Sequence, residues 1–268
     1  MNPSVHEIRH PIPVFSPAHL SFLAVLLPIA ALTAFFLAKK IGFKRKVIWG
    51  GAILAMLCEI ERLIFFMRNV GDGFRLPANN IPINHCPFQV VLLFILAMFE
   101  APEKHKKLLS FMFPIMVGGG FIGMLLPGEA LRAHGLSDFA TYRYFFYHAM
   151  VICMGLYFYL SKPFEYKLKN YFMGLFFCFC TLFVGVWLNG FFGWDNEVNF
   201  MFVVRPPVAG LPILNFRNGW PGYMLDMLGI GFVLITSCYV PVIWREMPGL
   251  FKTLKNKFNR PRQDTGSK

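Results

Sequence analysis

The stretch Ala18–Lys46, AHLSFLAVLLPIAALTAFFLAKKIGFKRK, decides the fold. Ala18–Ala38 is an apolar run long enough to cross a bilayer as a helix, which takes about 20 residues. Lys39, Lys40, Lys44, Arg45 and Lys46 follow it at once, while only Arg9 precedes it. Cytoplasmic flanks collect Lys and Arg, so this order retains the helix, rather than exposing it to leader cleavage, and puts its N-terminus outside.

Six further runs continue the pattern: Val47–Met67, Ile83–Phe99, Leu108–Leu126, Tyr144–Leu160, Tyr171–Leu188 and Trp220–Trp244. The third and fifth of the seven are short. Of the 268 residues, 56% are hydrophobic and only 15% charged, against about 25% charged in an ordinary soluble domain. Mean hydropathy is +0.52. This composition excludes a soluble domain and is the opposite of disorder. The reading is an all-α polytopic bundle of seven transmembrane helices over residues 1–244, N-terminus outside and C-terminus cytoplasmic. A basic cytoplasmic tail, 245–268, follows.

The charges agree with that topology. Connections 39–46, 100–107 and 161–170, together with the tail, hold 18 of the 26 Lys and Arg residues. The net charge of +12 is therefore a topology signal and calls for no nucleic acid. In the tail, Leu250, Phe251, Leu254 and Phe258 fall near one helical face, with Lys252, Lys255 and Lys257 beside it. An interfacial helix on anionic lipid and a solvated basic tail both fit. The six cysteines are scattered, with neither a disulfide framework nor zinc spacing.

Ionisable groups inside a span are costly and face the bundle interior. Placed by depth at 1.5 Å per residue, Cys86 lies roughly 5 Å, His148 roughly 6 Å and Asp226 roughly 9 Å below the outer ends of their helices. Arg62 and Glu59 lie roughly 8 and 12 Å below theirs. Glu59, Glu61, Arg62, His85, Cys86, His148 and Asp226 thus form one outer-half layer. Glu59 and Arg62, spaced i, i+3, can pair on one face, either as a structural ion pair or as part of a site.

Asn84-His85-Cys86-Pro87 opens the third helix, where a helix N-terminus favours thiolate. His148, on another helix at matching depth, is the better base for Cys86 than its sequence neighbour His85. Packed-thiol and core-histidine readings stand beside this one. A metal centre built from His85, Cys86, His148 and Glu59 lacks any H-x-x-x-H spacing, so no metal and no cofactor is expected. Gly119 and Gly123 read as close helix packing. The connection 189–219 lies above the layer and reads as a lid, a lateral gate for lipid, or a loop packed on the bundle.

Together these residues resemble the transmembrane protein 164 family, also called YwaF-like integral membrane proteins. The resemblance rests on Glu59 and Arg62, Ile81–Cys86, Tyr147-His148, Val198–Phe202 with Arg205-Pro206, and Trp220–Tyr223. It implies a membrane bundle whose animal members look like cysteine-dependent phospholipid acyltransferases, related to androgen-induced hydrolases. On that basis Cys86 matches the nucleophile and His148 the base. The resemblance also implies a histidine two places before the cysteine. Asn84 stands there and histidine stands at 85, so the resemblance leaves the role of His85 open, and His85 is counted with the residues that would support the site or bind substrate.

The expectation is a lipid acyltransferase or hydrolase of the cell membrane, with its site facing the extracytoplasmic side. Arg62, Asn84 or Asn199 would supply oxyanion donors, while Glu59 and Asp226 would support the site. A carrier or receptor binding a lipid or small solute in the outer-half cavity is the alternative. Membrane lipids are the partners in either case, and the oligomeric state is open.

Overall fold

The computed structural model describes residues 12–69, 76, 78, 81–127, 135, 136, 138–193, 198–206 and 219–258, leaving aside the side chains of 66, 68, 69 and 250–258. Among the described residues it is all-helical. The helices are α1 (Pro17–Lys40), α2 (Arg45–Asn69), α3 (His85–Met98), α4 (Lys106–Leu125), α5 (Phe139–Leu160), α6 (Leu168–Phe192) and α7 (Gly219–Phe258). Two short 3₁₀ turns lie at Pro102–Lys104 and Phe200–Phe202.

Four helices are long and apolar enough to cross a membrane: α1, α4, α6 and the Gly219–Gly249 part of α7. The charges of α2 and the Arg, His and Tyr residues of α5 dilute those two helices. The 14 residues of α3 reach only about 21 Å, short of a bilayer core of about 30 Å. Beyond Trp244, α7 continues without a break, so the start of the tail is helical. The side chains of the expected interfacial face lie outside the described residues.

The burial pattern is that of a chain solvated by hydrocarbon. Large apolar side chains such as Leu32, Phe36, Phe176, Phe183 and Trp187 point outward, while polar and aromatic groups lie inside. For α4, 61% of the apolar window is buried, against 17% for α1, which puts α4 at the centre. Its broadest contact is with α5, and α1 packs on the other side of α5. Close approach there depends on small residues. At Gly155 a Cβ would come within 3.0 Å of the Phe113 carbonyl and nearer still to Met116 and Val117.

Backbone groups freed at helix ends find partners in side chains, as they must where no water reaches. At the basic end, the Tyr157 hydroxyl donates to the Gly42 carbonyl and accepts from Lys44 N, both at 2.8 Å. Arg45 donates to the Ala97 and Met98 carbonyls that close α3, where a cation also opposes the helix dipole. Glu246 accepts from Leu168 N at the start of α6. At the opposite end, His19 is fully buried. Its Nδ1 accepts from Phe15 N and its Nε2 donates to the Met124 carbonyl at 2.8 Å, tying α1 to the close of α4. Successive helices therefore alternate in direction, and the end opposite the basic one gathers the sequence-predicted polar layer.

Candidate functional site

The site starts from α2. Glu59 is buried, and its carboxylate takes the Arg62 Nε at 3.0 Å to each oxygen. One turn of helix thus brings the expected i, i+3 pair together. A second pair, which the sequence reading missed, joins Glu61 of α2 to Arg143 of α5. The missed signal was Asp138. It caps α5 by accepting from Ala140 N at 2.9 Å, so the helix begins at Phe139 and Arg143 belongs to it.

Asn84 is the N-cap position of α3, yet its side chain does not cap that helix. Its Oδ1 accepts from Met201 N at 2.8 Å. His85 and Cys86 are the first helical residues and are partly buried. Cys86 packs against the main apolar core and lies within electrostatic range of Glu59 and Tyr147.

His148 lies one position along α5 and is buried. Its Nδ1 is 2.8 Å from the Tyr144 carbonyl. A carbonyl only accepts, so Nδ1 carries the proton and Nε2 keeps its lone pair. The ring rests on Gly123, where a Cβ would stand 2.4 Å from Cδ2 and 2.6 Å from Nε2. Tyr144 donates to the Gly123 carbonyl at 2.7 Å, fixing the two helices at this point. The Tyr147 ring meets His148 edge-on, with centroids 5.2 Å apart and planes at 90°. Tyr147 thus packs directly against His148. Among the described residues no hydrogen bond joins Cys86 to His148.

A match decides the family: its profile covers residues 14–239. The chain belongs to the TMEM164 family. No curated protein and no solved structure matches it. The TMEM164 match embraces every site residue described above and runs from before α1 to the middle of α7.

The remaining sequence candidates take other positions in this TMEM164 chain. Asn199 serves its own loop: Oδ1 accepts from Val204 N and Arg205 N, and Nδ2 donates to the Arg205 carbonyl. Asp226 is half-buried on α7, a helix packed mainly on α4 and α6. Among the described residues no group of three His, Cys, Asp or Glu could hold a metal ion.

The 198–206 segment is packed into the bundle. Val198, Phe200, Met201 and Val203 are buried. Met201 and Val203 join Leu182 in a second apolar cluster, bordered by Ile83 and Phe88. Irregular backbone at membrane depth survives only when its polar groups are satisfied by protein. Asn189, fully buried near the end of α6, does this by accepting from Phe200 N at 3.1 Å and donating to the Phe200 carbonyl at 3.0 Å. Trp220 donates to the Val203 carbonyl at 2.9 Å and Tyr223 donates to that of Phe202. Met201 and Phe202 sit at φ 55° and 57°, an uncommon region for bulky side chains that surrounding contacts must enforce. Residues 194–197 and 207–218 of connection 189–219, Asp195 among them, lie outside the described residues. Asn189→Ala is expected to lower stability by about 1–3 kcal/mol, because it strands the buried Phe200 N–H and takes from the Phe200 carbonyl one of its two donors, leaving Val203 N. Thermal unfolding in detergent micelles checks this, and an unchanged midpoint would refute it.

Two buried side chains received no role in the sequence reading. Gln89, one turn after Cys86, is only 1% exposed, and neither atom of its amide has a hydrogen-bond partner. The Tyr147 hydroxyl is likewise unpartnered.

Proposed function

We propose that this TMEM164-family protein crosses the membrane seven times, with its N-terminus outside, and transfers or hydrolyses lipid acyl groups at the extracytoplasmic interface. The alternating helix directions and the concentration of Lys and Arg at one end support that topology. The observation that carries the chemistry is the tautomer of His148. Its Nδ1 proton is held by the Tyr144 carbonyl, so Nε2 is poised as a base at the depth of Cys86. Hydrogen bonds between catalytic groups are often long in an empty site and tighten around substrate.

As the Cys86 Sγ attacks the ester carbonyl carbon, His148 Nε2 takes the thiol proton. The C–S bond forms and the carbonyl electron pair moves to oxygen. When that pair returns, the C–O bond breaks, and His148 gives its proton to the departing oxygen. A second hydroxyl, from water or another lipid, then loses its proton to His148 and attacks the thioester. The C–S bond breaks and the thiol is restored. Glu59 with Arg62, and Glu61 with Arg143, hold α2 and α5 in place around this centre.

The test uses purified protein in micelles with a lipid ester carrying a labelled acyl chain. A hydroxylamine-labile label on the wild type, lost in Cys86→Ala and reduced at least 10²-fold in His148→Ala, is the expected result. Full lipid turnover by Cys86→Ala would sink the cysteine mechanism and leave the carrier or receptor reading.

A further inference from the structure

An ester carbonyl attacked by Cys86 needs donors for the negative oxygen that develops, placed beforehand where water is absent. The charged candidates are already occupied. Arg62 is bound to Glu59 and Arg143 to Glu61. Asn199 is consumed by its own loop.

Asn84 is tied through its Oδ1 to Met201 N. Two further neutral side chains are buried with polar atoms that have no partner. Tyr147 is within electrostatic range of Cys86, and its hydroxyl is buried without a partner. Gln89 is three residues beyond Cys86 on the same helix, so the two share a face with Cβ atoms about 5–6 Å apart. Its amide is buried without a partner as well. Unpaired buried donors are rare because each carries an unrecovered desolvation cost. Gln89 stands a helical turn from the thiol and Tyr147 lies edge-on against His148; with Arg62 and Arg143 engaged, they mark a place prepared for an acceptor that arrives with the substrate.

We infer that the Tyr147 hydroxyl and the Gln89 side-chain amide together form the oxyanion hole of the Cys86 reaction, receiving the carbonyl oxygen of a lipid ester. The inference rests on Cys86 being the acylated residue. On C–S bond formation the carbonyl oxygen becomes the anion. Tyr147 O–H and Gln89 N–H donate to it without transferring their protons, and the bonds relax when the C–O bond breaks. Neutral donors suit this depth, since they stabilise the transient anion without binding a resident one.

Tyr147→Phe and Gln89→Met remove the donors and keep the volumes. Both variants are expected to unfold at or above the wild-type temperature, because the deleted groups have no partners to lose. The rate of Cys86 acylation by a long-chain p-nitrophenyl ester should fall about 10²-fold in each. Alkylation of Cys86 by a haloacetamide, which displaces halide at carbon and forms no oxyanion, should stay within twofold of wild type. Acylation that persists in both variants overturns the inference while leaving the Cys86 mechanism intact. A parallel fall in alkylation shows that the two residues only position the thiol, and overturns it too. Loss of folding in both variants shows that the groups are structural and does the same. Failure of the wild type to become acylated removes the Cys86 reading, and the inference with it.

Discussion

Arg62→Met is expected to destabilise the bundle by roughly 3–5 kcal/mol, because it leaves the Glu59 carboxylate buried without its cation. Glu59 is 5% exposed and its two oxygens depend on one guanidinium. Removing both charges together should be far milder, since a buried ion pair replaced by apolar groups of similar size is often neutral. The double variant Glu59→Leu/Arg62→Met is therefore expected to recover most of the loss. Unfolding midpoints of the four proteins in one detergent form the cycle. Equal losses in the single and double variants would show that packing, not the uncompensated carboxylate, sets the cost.

Gly123→Ala should separate stability from catalysis. A helical glycine-to-alanine change gains about 1 kcal/mol in intrinsic preference. Against this, the new methyl group would stand 2.4 Å from His148 Cδ2 and 2.6 Å from Nε2, and overpacking costs about 1–3 kcal/mol. The net change in stability is small, but the imidazole must move. A displacement of about 1 Å at a catalytic group costs about 10²-fold in rate, and that loss is expected in the acylation assay. Gly119→Ala is the matched control. There the nearest side-chain atom, on Ile115 of the same helix, is 3.9 Å away, so activity is retained. Equal activity in the two variants would show that the His148 position does not govern the reaction.

Length and apolarity made the helices legible, but not the way they face one another. Depth along the bundle grouped Glu59, Glu61, Arg62, His85, Cys86, His148 and Asp226 into one layer. Depth carries no information about direction around the axis, so it did not separate Asp226, on a helix packed mainly on α4 and α6, from the groups on α2, α3 and α5. Asn199 came from the long connection, and its side chain bonds Val204 and Arg205 of its own loop. Arg143 was lost because a charged residue in a first turn resembles the flank of a span, and only the Asp138 cap reveals otherwise. The unpartnered burial of Gln89 and Tyr147 was missed for a different reason. The search for costly groups counted charges, while an unpartnered neutral amide or phenol is costly through burial, which only tertiary structure defines. Asn189 fell just past the expected end of its helix for want of any local breaker before Gly190.

The ion pair between α2 and α5 has a consequence for how the chain is made. Glu61 leaves the ribosome about 80 residues ahead of Arg143, an interval of roughly 4–16 s at ordinary elongation rates. During that interval α2 carries a carboxylate with no counter-ion, in a segment whose three charges already make insertion marginal. On the proposed seven-span topology, α2 is therefore expected to settle in lipid only after α5 emerges, with Arg143 completing the insertion of a helix synthesised long before it. Chains truncated before and after Arg143 test this: alkaline extraction should release α2 from the shorter chain and not from the longer.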